Sequence, residues 1–305
     1  MSAIDSLEMR RGTYSIVARD PGTGELGVAA QSHYFAVGAL LPWAESGTGV
    51  VATQSLANPA SGPTALQLLR EGLDAQAALD RLLAADPGAD VRQIALVDAA
   101  GRAAVHTGPA CIPEAGHQRG HGFSCQASMM LRGTVPAAMA TAYESSGGRL
   151  AERLLAALDA AEAEGGDLRG RQSASLLVVG PRKIDLRVDD HPDPLGELRR
   201  LHTLDRAYGL SDRAEDLVAE GRHDDAARLL DEAVKIAPGN AELLFWAGLA
   251  VAGSGDLDGA LERVRAAAAL DPRWIELLER LGPEVAPAAA EIRAALDQHE
   301  RSRSG

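Results

Sequence analysis

Thr13 follows Gly12 and opens the segment Thr13-Tyr-Ser-Ile-Val-Ala-Arg19. A threonine at the head of a first strand suits an N-terminal nucleophile. Its own α-amine, once freed, lies beside the hydroxyl and serves as base, because such an amine titrates near ~8. Thr13 is not at the encoded terminus, so freeing it requires cleavage between Gly12 and Thr13. A glycine before the scissile bond leaves steric room for that step. The competing reading of Thr13 alone is an ordinary strand-edge residue.

Gln31-Ser32-His33 closes the next strand. An antiparallel hairpin carries it back to Thr13, where Ser32 and His33 would orient the nucleophile and relay protons. A free imidazole titrates near ~6.5, which suits that role. Thr53-Gln-Ser-Leu-Ala-Asn-Pro59 stands at a strand-to-helix junction. Gln54, Ser55 and Asn58 are therefore candidates for substrate binding, beside backbone N–H groups that can hold an oxyanion. Helix capping by Asn58 or Ser61 is compatible with this. In Gly166-Asp-Leu-Arg-Gly-Arg-Gln-Ser173 two arginines, a carboxylate and an amide share one loop. Charge there is costly unless paired or functional. Arg169 or Arg171 would clamp a substrate carboxylate, with Asp167 and Gln172 in support. A purely structural Asp167–arginine pair is the alternative.

Other chemistries find less support. His106, Cys111, His117, His121 and Cys125 invite a zinc reading, and a metal-dependent hydrolase is a third option. Yet His117 and His121 fall in a Gly-rich loop, and no Cys-x-x-Cys occurs. No metal site and no cofactor are expected. No G-x-G-x-x-G follows a strand, and no G-x-S-x-G elbow is present. The only lysines are Lys183 and Lys235, so residues 1–182 cannot use a lysine ammonium or a lysine Schiff base.

The elements that must position these residues follow from pattern. Residues 13–19 and 26–31 alternate around the turn Asp20-Pro-Gly-Thr-Gly24 and read as a hairpin. Residues 49–54 form another strand, and helices follow over 61–70 and 74–85. A second hairpin pairs 93–98 with 103–107; residues 108–122 read as a loop, and 123–128 as a strand. Helices at 134–143 and 150–164 precede two last strands, 174–179 and 184–188. This is not a doubly wound alternation. It predicts an α+β domain: two antiparallel sheets with helices outside, a four-layer αββα sandwich. An N-terminal extension (1–12), this domain (13–195) and an all-α helical-repeat domain (196–305) make up the chain.

The repeat is explicit. Gly221/Gly255, Ala226/Ala260, Ala233/Ala267 and Pro238/Pro272 each lie 34 residues apart, the tetratricopeptide period. Helices at 201–209 and 286–300 are expected to cap the two repeats. Two repeats are short for a peptide-binding superhelix. They would brace the fold, support a homodimer or hold a protein partner.

Composition narrows the setting. The 305 residues carry a formal net charge of −13. That argues against nucleic acid or an anionic membrane surface as the main partner and leaves room for a local basic site. Aromatics are only 3%, so the core rests on Ala, Leu and Val. No apolar run is long enough to span a membrane, and 1–11 has no apolar stretch of a signal peptide. With two cysteines and no disulfide framework, a cytoplasmic location is expected.

Thr13-Tyr-Ser-Ile-Val-Ala-Arg-Asp20, Gly24-Glu-Leu-Gly-Val-Ala-Ala-Gln-Ser-His33, Ala36-Val-Gly38, Pro42-Trp-Ala44, Ala52-Thr-Gln-Ser55, Asn58-Pro59, Gly62-Pro63 and Gly165-Gly-Asp-Leu-Arg-Gly-Arg-Gln-Ser173 resemble the family called domain of unknown function 1028. The resemblance implies a fold like that of the N-terminal-nucleophile (Ntn) hydrolases, in the superfamily of the proteasome β-subunit. Members often begin Met-Thr, so the resemblance implies that the start lies downstream, that Thr13 is released by processing, or that no free amine forms. Many relatives carry Lys where His33 stands and Asn where Ser128 stands, departures at positions the resemblance marks as catalytic or oxyanion-binding. The leading expectation is an Ntn-type amidohydrolase for a small amide or peptide-like substrate. Thr13, Ser32 and His33 would be catalytic; Gln54, Ser55, Asn58, Ser128, Asp167, Arg169, Arg171 and Gln172 would bind substrate. The alternative is a non-catalytic ligand-binding or scaffold protein on a degenerate hydrolase fold.

Overall fold

A computed structural model describes residues 12–304, with side chains described to residue 298. Apart from Gly12, the N-terminal extension lies outside the described residues. The strands are β1 (Thr13–Arg19), β2 (Leu26–Ser32), β3 (Pro42–Glu45), β4 (Gly49–Ser55), β5 (Arg92–Asp98), β6 (Ala103–Thr107), β7 (Gly116–Gly120), β8 (Phe123–Ser128), β9 (Ser173–Val179) and β10 (Ile184–Val188). Helices α1 (Ser61–Arg70) and α2 (Ala75–Ala85) separate β4 from β5; α3 (Val135–Ser145) and α4 (Leu150–Ala163) separate β8 from β9.

The strands form two antiparallel sheets, one of six strands ordered β10-β9-β2-β1-β8-β7 and one of four ordered β3-β4-β5-β6. Strand alternation sends successive side chains to opposite faces. Val17, Val28, Val50, Ala52, Ala95 and Val97 meet in one apolar cluster between the sheets. On the other face of the four-stranded sheet, Val51, Ile94 and Leu96 pack with Ala65 and Leu69 of α1 and Leu79 of α2. Helix α4 lies on the six-stranded sheet so closely that a Cβ on Gly27 would stand 2.6 Å from Leu154 and 3.1 Å from Leu150. The expected mixed domain with antiparallel sheets is therefore present.

Three details correct the sequence reading. The stretch Pro42–Glu45 is a strand, β3. The expected loop at 108–122 contains strand β7, at the edge of its sheet beside β8. The expected helix at 201–209 is part of a 26-residue helix, α5 (Pro194–Ala219). Pro194 suits its start, where no N–H need be satisfied. Gly221, at φ +76°, ends it through bonds from Gly221 N–H to Val218 O (2.9 Å) and Arg222 N–H to Leu217 O (2.8 Å).

The chain divides into two compact units between Arg200 and Leu201. The second is helical: α6 (His223–Ile236), α7 (Ala241–Gly253), α8 (Leu257–Leu270), α9 (Arg273–Arg280) and α10 (Ala289–Ser304). The repeat-related Ala226, Ala233, Ala260 and Ala267 are all fully buried, where small side chains let helices approach. Gly248 on α7 has the same use, since a Cβ there would lie 2.8 Å from Val264 of α8. No helix among the described residues is long and apolar enough to cross a membrane.

Leu154 anchors α4 on the strand that delivers Ser32. Leu154→Ala should cost about 2–5 kcal/mol, read as a lower urea midpoint at unchanged slope.

Candidate functional site

The register of the larger sheet creates a row of hydroxyls. Thr13 is opposite Ser32 on one side and Ser128 on the other, and Ser32 is opposite Ser173. These four residues occupy adjacent strands β9, β2, β1 and β8, are buried, and by alternation face the smaller sheet. The space between the sheets is thus apolar towards Val17 and Val28 and polar at the end where Thr13 stands.

The Gly12–Thr13 peptide bond is the centre of this polar end. The Gly12 carbonyl oxygen accepts from Thr13 Oγ1 at 2.6 Å, from Ser32 Oγ at 2.5 Å and from Arg169 Nη2 at 3.0 Å. Thr13 Oγ1 also lies 3.1 Å from Ser32 Oγ. Arg169 is fixed by a forked bond to Asp167, Nε to Oδ1 at 3.0 Å and Nη2 to Oδ2 at 2.8 Å. Asp167 further accepts from the backbone N–H of Arg169 (2.9 Å) and of His33 (3.2 Å). Its carboxylate is fully buried, whereas Arg169 keeps 28% exposure.

Local sequence explains how the loop reaches this place. After α4, Gly166 N–H bonds to Ala161 O (2.9 Å) and Gly165 N–H to Glu162 O (3.0 Å), with φ of +59° and +119° respectively. Only glycine takes two successive left-handed positions cheaply, and this Schellman turn stops the helix. A short ribbon then forms: Leu131 N–H to Gly166 O, Leu168 N–H to Met129 O, and Met130 paired with Asp167. It ties the Asp167 loop to the end of β8.

Left-handed non-glycine residues collect at the same end. Ser55 (φ +65°) closes β4, Met129 (φ +62°) follows Ser128, and Ala36 (φ +54°) follows the Ser32–His33 turn. Such strained backbone gathers at functional sites. The large apolar side chains exposed in this unit are there too: Phe35 (62%), Leu131 (51%) and Leu168 (62%).

Behind the hydroxyl row the two sheets are joined by buried amides. Gln54 Nε2 donates to Thr13 O (3.1 Å) and to Gln93 Oε1 (2.6 Å), while its Oε1 accepts from Ser15 Oγ (2.5 Å). Gln126 Nε2 donates to Ser15 Oγ (2.6 Å), and Gln93 Nε2 donates to Thr107 Oγ1 (2.8 Å). Gln54 thus holds β1 from behind, and its amide is spent within the protein rather than offered to a substrate. The roles of Ser15, Gln93 and Gln126 were not visible in sequence; alternation around Val17 and Ala95 was the available signal.

The remaining candidates divide. His33 meets the site through its backbone, and its Nδ1 is buried with no partner among the described residues. Ser128 Oγ is likewise buried and unpartnered there. Ser55 is buried at the end of β4. Asn58 is not brought to Thr13: its Oδ1 accepts from Ala60 N–H (3.0 Å) and its carbonyl from Ser61 N–H (3.0 Å), closing the turn before α1. Arg171 pairs with Glu162 (3.4 Å) and Asp193 (3.3 Å), and Gln172 bonds Asp190 (3.1 Å). Both therefore fasten the loop after β10. Tyr14, on the opposite face of β1, donates to Glu162 (2.7 Å); burial, and then the Glu162 charge, push its phenol well above the ordinary value of 10.

Among the described residues no three His, Cys, Asp or Glu side chains converge on a metal position. His117 sits on β7 and bonds Thr107 Oγ1 (2.9 Å). His121 lies just beyond the strand, and four residues of extended chain separate the two by ~13 Å. Cys125 faces away from His117's neighbours inside the domain, where burial pushes its thiol well up. His106 Nε2 meets Ala89 O (2.8 Å).

Residues 13–198 match the family of unknown function DUF1028, and the chain belongs to that family. Residues 217–281 match a tetratricopeptide repeat family. A crystal structure of a DUF1028 protein from Silicibacter pomeroyi is similar, with a TM-score of 0.60 and 34% sequence identity over 63% of this chain and 84% of that one. No curated protein matches the chain.

Truncating Gln54 would leave Gln93 Oε1 without its donor and the Ser15 hydroxyl proton without its acceptor. Gln54→Ala should destabilise the fold by about 2–3 kcal/mol in urea titration, more than a surface Gln67→Ala control, which should stay within ~0.5 kcal/mol.

Proposed function

We propose that the first unit is an Ntn-type amidohydrolase, its stacked layers the αββα sandwich of that class, acting on a small amide or peptide-like substrate. One observation carries this reading. The carbonyl of the bond that must open is held by a guanidinium and a serine hydroxyl, with the threonine hydroxyl against it.

Thr13 Oγ attacks the Gly12 carbonyl carbon. Its proton passes to Ser32 Oγ as the Ser32 proton passes to the carbonyl oxygen, so no separate base is needed. Arg169 Nη2 supports that oxygen while negative charge builds on it. As the tetrahedral carbon expels the Thr13 nitrogen, the hydroxyl formed from the carbonyl oxygen gives its proton to that nitrogen, and an ester joins Gly12 to Thr13 Oγ. Water hydrolyses the ester and releases a carboxylate on Gly12 and a free amine on Thr13. In the uncut chain Thr13 is fully buried and its nitrogen is an amide, so only the cut chain turns over a substrate.

In the mature site Thr13 Oγ attacks the substrate carbonyl and its own amine accepts the proton. Ser32 and Arg169 then hold the substrate oxyanion where they now hold Gly12 O. Ser128, unpartnered beside Thr13, is the free group for the substrate amide. Asp167 keeps Arg169 in place. The tetratricopeptide match supports a second role for the helical unit, the holding of a protein partner.

Intact-mass measurement tests the first step. Wild-type protein should lose residues 1–12, and Thr13→Ala should keep them. Arg169→Ala should cut itself ~10²–10³-fold more slowly, the usual cost of one oxyanion donor. Ser32→Ala should also slow cleavage. Wild-type protein that retains residues 1–12 and yet hydrolyses amides would sink the proposal.

A further inference from the structure

We infer that the substrate's acyl group is unbranched at its α-carbon and apolar beyond it, as in a straight-chain N-acyl compound. This rests on the Ntn reading above, because Gly12 is then the acyl group of the first reaction at Thr13. Any later acyl carbonyl must reach the same Thr13 oxygen, Ser32 and Arg169, and so must take the place of the Gly12 carbonyl.

That place has no room for a branch. A Cβ built on Gly12 would lie 2.7 Å from Asp167 Oδ2, 3.0 Å from Oδ1 and 2.9 Å from Arg169 Nη2. Side-chain ends can often move aside, but these cannot move freely. Asp167 is fully buried and receives the Arg169 fork and two backbone N–H groups. Moving it would break the clamp that aims Arg169 at the carbonyl. A CH2 fits; a carbon substituted on the side where an L residue carries its Cβ does not.

Three exposed apolar residues are neighbours of this pair in the chain or through backbone bonds. Leu168 stands between Asp167 and Arg169, Leu131 bonds Gly166 next to Asp167, and Phe35 follows the His33 whose N–H holds Asp167. All three side chains are more than half exposed, an apolar rim beside a charged pair. An apolar chain leaving the α-carbon is the occupant that would cover them.

The experiment uses p-nitrophenyl esters on the processed chain beginning at Thr13. Thr13 Oγ forms the new ester, p-nitrophenolate leaves, and the Thr13 amine takes the hydroxyl proton. Release is read by absorbance and the adduct by mass. Hexanoyl ester should acylate Thr13 at least ~10-fold faster than 2-methylhexanoyl ester, the scale of discrimination one methyl allows. Leu168→Ser should slow hexanoyl transfer several-fold more than acetyl transfer. Equal rates for the branched and straight esters overturn the inference while the Ntn reading stands. An unchanged hexanoyl-to-acetyl rate ratio in Leu168→Ser overturns its apolar half. Absence of any adduct on Thr13 overturns the Ntn reading and the inference with it.

Discussion

A buried polar atom must find a partner, and the interior between the two sheets is arranged around that demand. Where Val17, Val28, Val50 and Val97 meet, the layer needs only close packing. Further along β1, β8, β4 and β5 the same faces carry Ser15, Gln126, Gln54 and Gln93, and each amide has its acceptor and donor within the layer. The hydroxyl row lies one step beyond. The exceptions are Ser128 in the row and Ser175 one step behind it, whose hydroxyls have no partner among the described residues.

The charged loop obeys the same rule. An isolated buried carboxylate is expensive, yet Asp167 is buried because it accepts from Arg169 and from two backbone N–H groups. A structural pair and a functional clamp are therefore not rival accounts of Asp167 and Arg169. The pair makes Arg169 rigid, and rigidity lets one guanidinium nitrogen stand on the Gly12 carbonyl without wandering to solvent.

Most strands were legible because alternation and turn chemistry coincide. Asp20-Pro-Gly-Thr-Gly24 forces a reversal, and the register that follows puts Ser32 on Thr13. Strand β7 was not legible because Gly116-His-Gln-Arg-Gly120 has no apolar residue; it is an exposed edge, where polar side chains prevent further pairing. Strand β3 was hidden by its opening proline and its length of four. The length of α5 was hidden by Gly209 and by weak amphipathicity. Among site residues, sequence proximity misled for Arg171 and Gln172. They lie next to Arg169 in the chain, but their partners Asp190 and Asp193 come from beyond β10. Gln54 was rightly placed beside Thr13, yet one strand position cannot tell which way an amide is spent.

The glycine at position 12 joins these strands of reasoning. It is the residue that fits between a fixed Asp167–Arg169 pair and the head of β1. Its backbone is not left-handed, so conformational freedom is not what requires it; space is. The clamp that excludes a side chain is the same clamp that supplies the donor to the carbonyl. A larger residue at position 12 would push Asp167 or Arg169 away and so lose the polarising contact along with the fit. On the proposed reading, exclusion of a branch and the hold on the carbonyl are one feature, set by a single ion pair.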